Sequence, residues 1–180
     1  LIAERIQRNG PMTVAEYMSL ALSDPTHGYY ITRDPIGADG DFVTSPEVSQ
    51  MFGEMIGAWI TDIWLQMGNP ESVKLIELGP GRGTLSADIL RTISSWPEFK
   101  AAMTVHLIET SPMLRQKQFE ALKAWRPTWY DTFDETPVGV SFIIDNEFFD
   151  ELPVHQLEKS NGSWMERTID YHPGRNESFK

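Results

Sequence analysis

The residues best placed to do chemistry lie in Glu77-Leu78-Gly79-Pro80-Gly81-Arg82-Gly83-Thr84-Leu85. The residues before it, Lys74 to Leu78, read as a short buried strand with Glu77 near its end. A helix-like run follows the last glycine through Leu90. Strand, glycine turn and helix together build a nucleotide-sized crevice at the carboxyl ends of an open α/β sheet. Glycine lacks Cβ, so its backbone can turn sharply and come close to a ligand. Gly79, Gly81 and Gly83, with Glu77, Thr84 and Leu85 beside them, are therefore the candidate ligand cradle. A dinucleotide fingerprint would place a glycine where Thr84 stands, so the spacing departs from that pattern.

Two further groups of acids accompany the loop. Thr104-Val105-His106-Leu107-Ile108 reads as the next strand and ends in Glu109. An acid at that tip can accept both hydroxyls of a ribose; the bland alternative is a solvated strand-end acid. Ser111-Pro112 then supplies an N-cap and a first-turn proline. Farther on, the apolar run Val140-Ser141-Phe142-Ile143-Ile144 leads into Asp145-Asn146-Glu147-Phe148-Phe149-Asp150-Glu151. Acids gathered at the carboxyl end of a buried strand either bind a positive group or stay solvated, because burying an unpaired carboxylate is costly. Asn146, Glu147 and Asp150 are the candidates there.

These segments need a scaffold, and the pattern indicates a parallel one. Strands are expected at 74–78, 104–109, 128–133 and 140–144, with helices at about 84–94 and 112–125. Alternation of strand and helix implies a parallel sheet. Upstream, Thr13-x-x-Glu16 has the form of a capping box. Residues 33–45 read as a Gly/Asp/Pro loop, and Ser45-Pro46 is expected to open one long helix. Its apolar positions, Val48, Met51, Phe52, Met55, Ile56, Trp59, Ile60, Ile63, Trp64 and Met67, follow 3,4 spacing and read as a single buried stripe ending at Gly68-Asn69-Pro70. After Pro153, Ser160-Asn161-Gly162 signals an antiparallel hairpin. The expected division is a helical and loop extension at 1–70, a Rossmann-like core at 71–153 and the hairpin region at 154–180. Tyr29, Tyr30 and Phe42, flanked by glycine and proline, are read as a lid over the site.

Composition narrows the function. A hydrophobic fraction of 41% is that of a globular chain. No apolar run approaches the roughly 18–20 residues needed to span a bilayer, and the first ten residues show no signal-peptide pattern. There is no cysteine, so disulfides, thiolate nucleophiles and zinc–thiolate sites drop out. His27, His106, His155 and His172 show no metal-ligand spacing, and no metal is expected. A net charge of −11 argues against a general nucleic-acid binder and is compatible with a basic substrate.

Four motifs together resemble the MidA family, which holds a mitochondrial complex I assembly factor and its bacterial relatives. They are Asp24-Pro-x-x-Gly28-Tyr29-Tyr30, Gly40-Asp41-Phe42-x-Thr44-Ser45-Pro46-Glu47, Glu77-Leu78-Gly79-Pro80-Gly81-Arg82-Gly83 and Asn146-Glu147-Phe148-Phe149-Asp150-x-Leu152-Pro153. They occur in the family's order across residues 24 to about 155. The resemblance implies a class I S-adenosylmethionine (SAM) methyltransferase on a Rossmann-like sheet, forming symmetric dimethylarginine on a protein such as a complex I subunit. It implies that Gly79, Gly81 and Gly83 cradle SAM and Glu109 holds its ribose. Asp131 would face the adenine, with Asn146 and Glu147 beside the methionine end and the acceptor. Family members are about twice this length, so the chain is expected to be part of a longer protein. The location implied is the cytoplasm in a bacterium or the mitochondrial matrix in a eukaryote. An oxidoreductase, a non-catalytic assembly scaffold and a small-molecule methyltransferase stand as alternatives.

Overall fold

The chain opens with helix α1 (Ile2–Asn9), strand β1 (Met12–Thr13) and helix α2 (Val14–Ser23). The Thr13 hydroxyl accepts from the Glu16 N–H at 3.1 Å while the Glu16 carboxylate accepts from the Thr13 N–H at 2.8 Å, completing the capping box that the sequence spells. Asp24 then accepts from the N–H groups of Thr26 and His27, both at 2.9 Å, and the short helix α3 (Tyr29–Thr32) follows. A Cβ on Gly28 would lie 2.6 Å from the Asp24 backbone, so the turn itself requires the Asp24-x-x-x-Gly28 pairing. This computed structural model describes residues 1–32 and 44–172. Most of the expected 33–45 loop lies outside those residues. Two compact units emerge, Leu1–Arg33 with Phe149–Lys180, and Asp34–Phe148.

The second unit begins with a break where the sequence suggested continuous helix. Helix α4 (Ser45–Val48) stops at Ser49, whose extended backbone (φ −152°, ψ 121°) lets its hydroxyl accept from the Met51 N–H and start α5 (Gln50–Gln66). The expected buried stripe on this helix needs correction as well. Ile60 and Trp64 are buried, but Met51, Met55 and Trp59 are 64%, 66% and 60% exposed. The buried face also carries Gly53, Gly57 and Thr61. A Cβ on Gly57 would lie 2.8 Å from the Ile89 carbonyl oxygen, and one on Gly53 would lie 2.5 Å from the Asp88 Cβ. Small residues four apart thus let α5 close on its neighbour, and the large apolar residues turn outward. Spacing counts bulky apolar side chains and is blind to a contact made of their absence.

The sheet that follows is β2 (Val73–Leu78), β3 (Met103–Ile108), β4 (Thr128–Tyr130) and β5 (Ser141–Asp145), all parallel in the order β4-β3-β2-β5. Between the strands run α6 (Thr84–Ile93), α7 (Pro97–Ala102) and α8 (Pro112–Leu122), with 3₁₀ turns at Lys123–Trp125 and Phe133–Glu135. One face of the sheet supplies Val73, Leu75, Val105, Leu107 and Phe142 to the main core, against Ile60 and Trp64 of α5, Leu85, Ile89, Leu90 and Ile93 of α6, and Phe99. Trp64 stacks on Phe99 with ring centroids 4.5 Å apart. The other face gathers Ile76, Leu78 and Ile108 with Tyr130 and Phe148. The architecture is the expected Rossmann-like α/β sheet.

The antiparallel elements belong to the first unit. The hairpin β6 (Leu157–Ser160) and β7 (Ser163–Glu166) turns at Asn161 (φ 48°) and Gly162 (φ 84°). Two successive positive φ values are what a two-residue hairpin turn needs. Strand β8 (Thr168–Ile169) pairs with β1, Met12 facing Ile169, a contact two residues long that no local pattern announces. The units cut the chain near 33 and 148, where the sequence suggested 70 and 153. Helix α5 goes with the sheet because its glycine face packs on α6.

Candidate active site

Strand register gathers the candidate residues at one edge. Leu78 pairs with both Ile108 and Asp145, and Ile108 pairs with Tyr130. Gly79, Glu109, Asp131 and Asn146 each follow one of these paired residues. The Gly79 N–H donates to the Ile108 carbonyl and the Glu109 N–H to the Tyr130 carbonyl, both at 3.1 Å, carrying the ladder one step farther. Successive strands β3 and β4 lie on one side of β2, and β5 returns to the other. Such a reversal of strand order opens a crevice outside the carboxyl ends, where α/β sheets bind ligands.

The glycine loop is left-handed at all three glycines, with φ of 60° at Gly79, 54° at Gly81 and 83° at Gly83. Such backbone favours glycine on steric grounds. The Gly83 N–H closes the turn on the Pro80 carbonyl at 2.7 Å. At Gly79 the close neighbour is protein: an added Cβ would lie 2.4 Å from Cδ2 of Phe148. Leu85 is 2% exposed and packs in the main core, which leaves its backbone as the part available to the loop. The Thr84 hydroxyl donates to the Glu47 carboxylate at 2.6 Å, bringing the Ser45-Pro46-Glu47 motif to the start of α6. Glu77 is 3% exposed and accepts a short hydrogen bond from the Ser86 hydroxyl. Burial pushes its pKa up to about 7 against the lowering effect of the Ser86 hydroxyl and N–H.

Glu109 is held more completely. Its Oε1 accepts from the Ser111 N–H at 2.8 Å, and its Oε2 accepts from Nε2 of Gln118 at 3.1 Å. Burial raises its pKa, opposed by the Ser111 N–H, Gln118, the Thr110 N–H and Arg115. Arg115 donates from Nε to the Glu109 carbonyl and from its terminal nitrogen to Asp131, each at 2.6 Å. Asp131 is 70% exposed at this rim, and its N–H donates to Glu135 at 2.9 Å.

Beyond β5, Asn146 is half-buried and Glu147 is exposed. Glu147 carries φ of 58°, a left-handed conformation that costs a non-glycine residue about 1–2 kcal/mol. The reversal there lays Phe148 against Gly79, so the acid run and the glycine loop are pinned to each other. Asp150 is exposed in the 3₁₀ turn Phe149–Glu151, which belongs to the first unit. Of the expected lid, Tyr29 and Tyr30 are half-buried in that unit and meet edge to face at 5.1 Å. The Tyr30 hydroxyl donates to Glu151, and burial followed by this carboxylate raises its pKa. Phe42 lies outside the described residues.

Sequence reasoning missed Gln118, Arg115 and Glu47 as site residues. For Gln118 a signal exists, since it interrupts the buried α8 face formed by Leu114 and Leu122. A polar residue at the centre of an apolar helical stripe needs a partner.

Comparison with known proteins settles the family. Residues 55–180 match a family described as "Putative S-adenosyl-L-methionine-dependent methyltransferase". The chain belongs to this family. It is similar to proteins named "Protein arginine methyltransferase NDUFAF7, mitochondrial": 42% identical in Xenopus tropicalis, covering 94% of this chain and 45% of that one. The Homo sapiens protein of the same name is 39% identical, covering 94% and 44%. A crystal structure of a superfamily member from Burkholderia thailandensis bound to S-adenosyl-homocysteine superposes with a TM-score of 0.77 at 25% identity, covering 99% of this chain and 47% of that one. The chain thus spans a little under half the length of the relatives it matches. These likenesses agree with the MidA resemblance of the motifs.

The residues present suit an S-adenosyl ligand. Each Glu109 oxygen has one hydrogen bond from the pairs above and a further lone pair to offer a ribose hydroxyl. The N-cap of α6 is Gly83, with no side-chain cap, so first-turn N–H groups remain for a polar ligand group. Among the described residues, no cluster of His, Cys, Asp or Glu could hold a metal ion, and no helix is long and apolar enough to cross a membrane.

Proposed function

We propose that this chain binds SAM at the carboxyl edge of its sheet and transfers a methyl group to an arginine of a protein. The observation that carries the reading is the register aligning the glycine loop, Glu109, Asp131 and Asn146 at one edge. The names of the relatives supply the acceptor class, and from the MidA resemblance of the motifs we infer a complex I subunit as the acceptor. The same names favour the mitochondrion for a eukaryotic source, where we infer the matrix, and the bacterial equivalent is the cytoplasm.

The bound cofactor supplies an electrophilic sulfonium methyl group. Gly79, Gly81 and Gly83 form the floor under the ligand, with Gly79 also admitting Phe148. Thr84 and Leu85 offer backbone N–H groups at the start of α6. Glu77 acts from below, by fastening α6 to β2 through Ser86. Glu109 accepts the ribose hydroxyls, Asp131 sits at the adenine side, and Asn146 lies at the methionine side. Glu147 is the acceptor carboxylate. A carboxylate pairs with the planar fork of a guanidinium through two N–H groups, fixing its plane and orientation. That alignment of nucleophile and methyl carbon supplies most of the rate. Asp150 contributes a second acid for the acceptor.

Calorimetric titration with SAM, S-adenosylhomocysteine (SAH) and NAD tests the reading. Micromolar binding of SAM or SAH without NAD is expected, and binding of NAD alone, or of none by a folded sample, refutes it. G81V should abolish SAH binding, because φ of 54° disfavours a branched side chain and its methyls would enter the ligand's space. Peptide mass spectrometry after incubation with SAM and complex I subunits should locate the methyl on arginine; methylation only at other residues would reject that acceptor.

A further inference from the structure

Gln118 stands at the junction of the glycine loop, the ribose acid and the sheet, and its side chain is fully buried. It engages both hydrogens and the oxygen of its amide. Oε1 accepts from Nε1 of Trp129 at 2.7 Å, while Nε2 donates to the Gly81 carbonyl at 2.7 Å and to Oε2 of Glu109 at 3.1 Å. The orientation of the amide follows from proton accounting. An indole nitrogen can only donate, so it must meet the amide oxygen. The two amide hydrogens are then left for two acceptors, a carbonyl and a carboxylate. Trp129 is itself fixed in the edge strand β4, paired with Leu107 of β3. The Gln118 backbone is fixed too: its Cα lies 3.4 Å from where a Cβ on Gly83 would stand, an ordinary contact.

We propose that Gln118 is a positioning residue for the ribose end of the cofactor, setting the glycine loop and the Glu109 carboxylate at a fixed separation. The inference rests on the SAM reading above. Because both amide hydrogens are taken by protein and the side chain is fully buried, Gln118 does not donate to the ligand; it acts through Glu109 and Gly81. Glu109 needs this help. The Ser111 N–H fixes only Oε1, and a buried carboxylate gripped at one oxygen can pivot. The donor on Oε2 stops the pivot and presents the remaining lone pairs in one direction. A leucine at this position would fill the apolar α8 face without polar demands, so core packing alone does not call for an amide here.

The test separates ribose recognition from general damage to the loop. SAH and its 2′,3′-dideoxy analogue are titrated into the full-length wild-type protein and Q118M, with thermal unfolding checking the fold of each. The wild type should prefer SAH by about 10- to 100-fold, the worth of hydrogen bonds to a charged acceptor. In Q118M that preference should shrink to about 3-fold or less, while affinity for the dideoxy analogue stays within about 3-fold of wild type. Retention of the preference in folded Q118M overturns the proposal, and so does equal weakening of both ligands, which marks a merely structural role. If the wild type binds neither ligand, the SAM reading itself fails and takes this inference with it. Where Q118M does not fold, Q118L replaces it. Leucine continues the apolar α8 face of Leu114 and Leu122 and offers no donor to Gly81 or Glu109, and the same two affinities decide.

Discussion

The ends of β3 and β5 sit at one edge of one sheet and are built on opposite principles. After β3, Glu109 is 8% exposed, with both oxygens engaged by Ser111 and Gln118 and its carbonyl engaged by Arg115. After β5, Glu147 is exposed and held in left-handed backbone, steadied by Phe148 against Gly79. The first acid is preorganised by hydrogen bonds and burial. The second is aimed by backbone strain and left wet. Under the function proposed above, this contrast suits two ligands of different kinds. A cofactor of constant shape rewards a rigid socket, whereas a guanidinium on a protein must arrive and leave through solvent. Strain at a non-glycine residue is commonly stored where function needs it.

The contrast can be broken most sharply at Glu147. E147A should lower methyl transfer by about 1,000-fold, near 4 kcal/mol of transition-state stabilisation, with SAH affinity unchanged within about 2-fold. Methylation kinetics set beside calorimetry check this, and a matching loss of SAH affinity would merge the two rims into one. The buried side is probed by pH through Glu77. Its folded pKa of about 7 stands above the ordinary value of 4.5, so the folded state penalises the ionised form. Its contribution to stability is therefore greatest below pH 4.5 and is lost as pH rises through about 7. Denaturant unfolding should show E77Q gaining on wild type across that window by on the order of 3 kcal/mol; parallel curves for the two proteins would contradict the burial argument. The smallest effect concerns the strain itself. E147G should stabilise the protein by about 1 kcal/mol, because glycine adopts φ of 58° without penalty. Chemical denaturation measures it, and a loss of stability would mean that the Glu147 side chain holds the turn.

Much of this edge was legible in the residues. Thr13 and Glu16, Asn161 and Gly162, and the apolar runs of β2, β3 and β5 name their elements through local chemistry. The α5 stripe misled because Gly53 and Gly57 carry no hydrophobic signal yet decide which face closes on α6. Pairing of β1 with β8 was illegible because two residues at each end of a chain hold no periodicity. Gln118 was visible only as an oddity on an apolar face, since the partners that explain it, Gly81, Glu109 and Trp129, come from three separate segments.

By itself the amino-acid sequence determined which backbone could be left-handed at Gly79, Gly81 and Gly83, which strands would be buried, and that acids follow two of them. Those are properties of single residues and their neighbours. Only the tertiary structure decided that Leu78, Ile108, Tyr130 and Asp145 share one register, that Phe148 needs the room at Gly79, and that Gln118 ties loop to acid. Register and close approach arise between segments distant in sequence, where packing volume and hydrogen-bond satisfaction select one arrangement from many that local pattern allows.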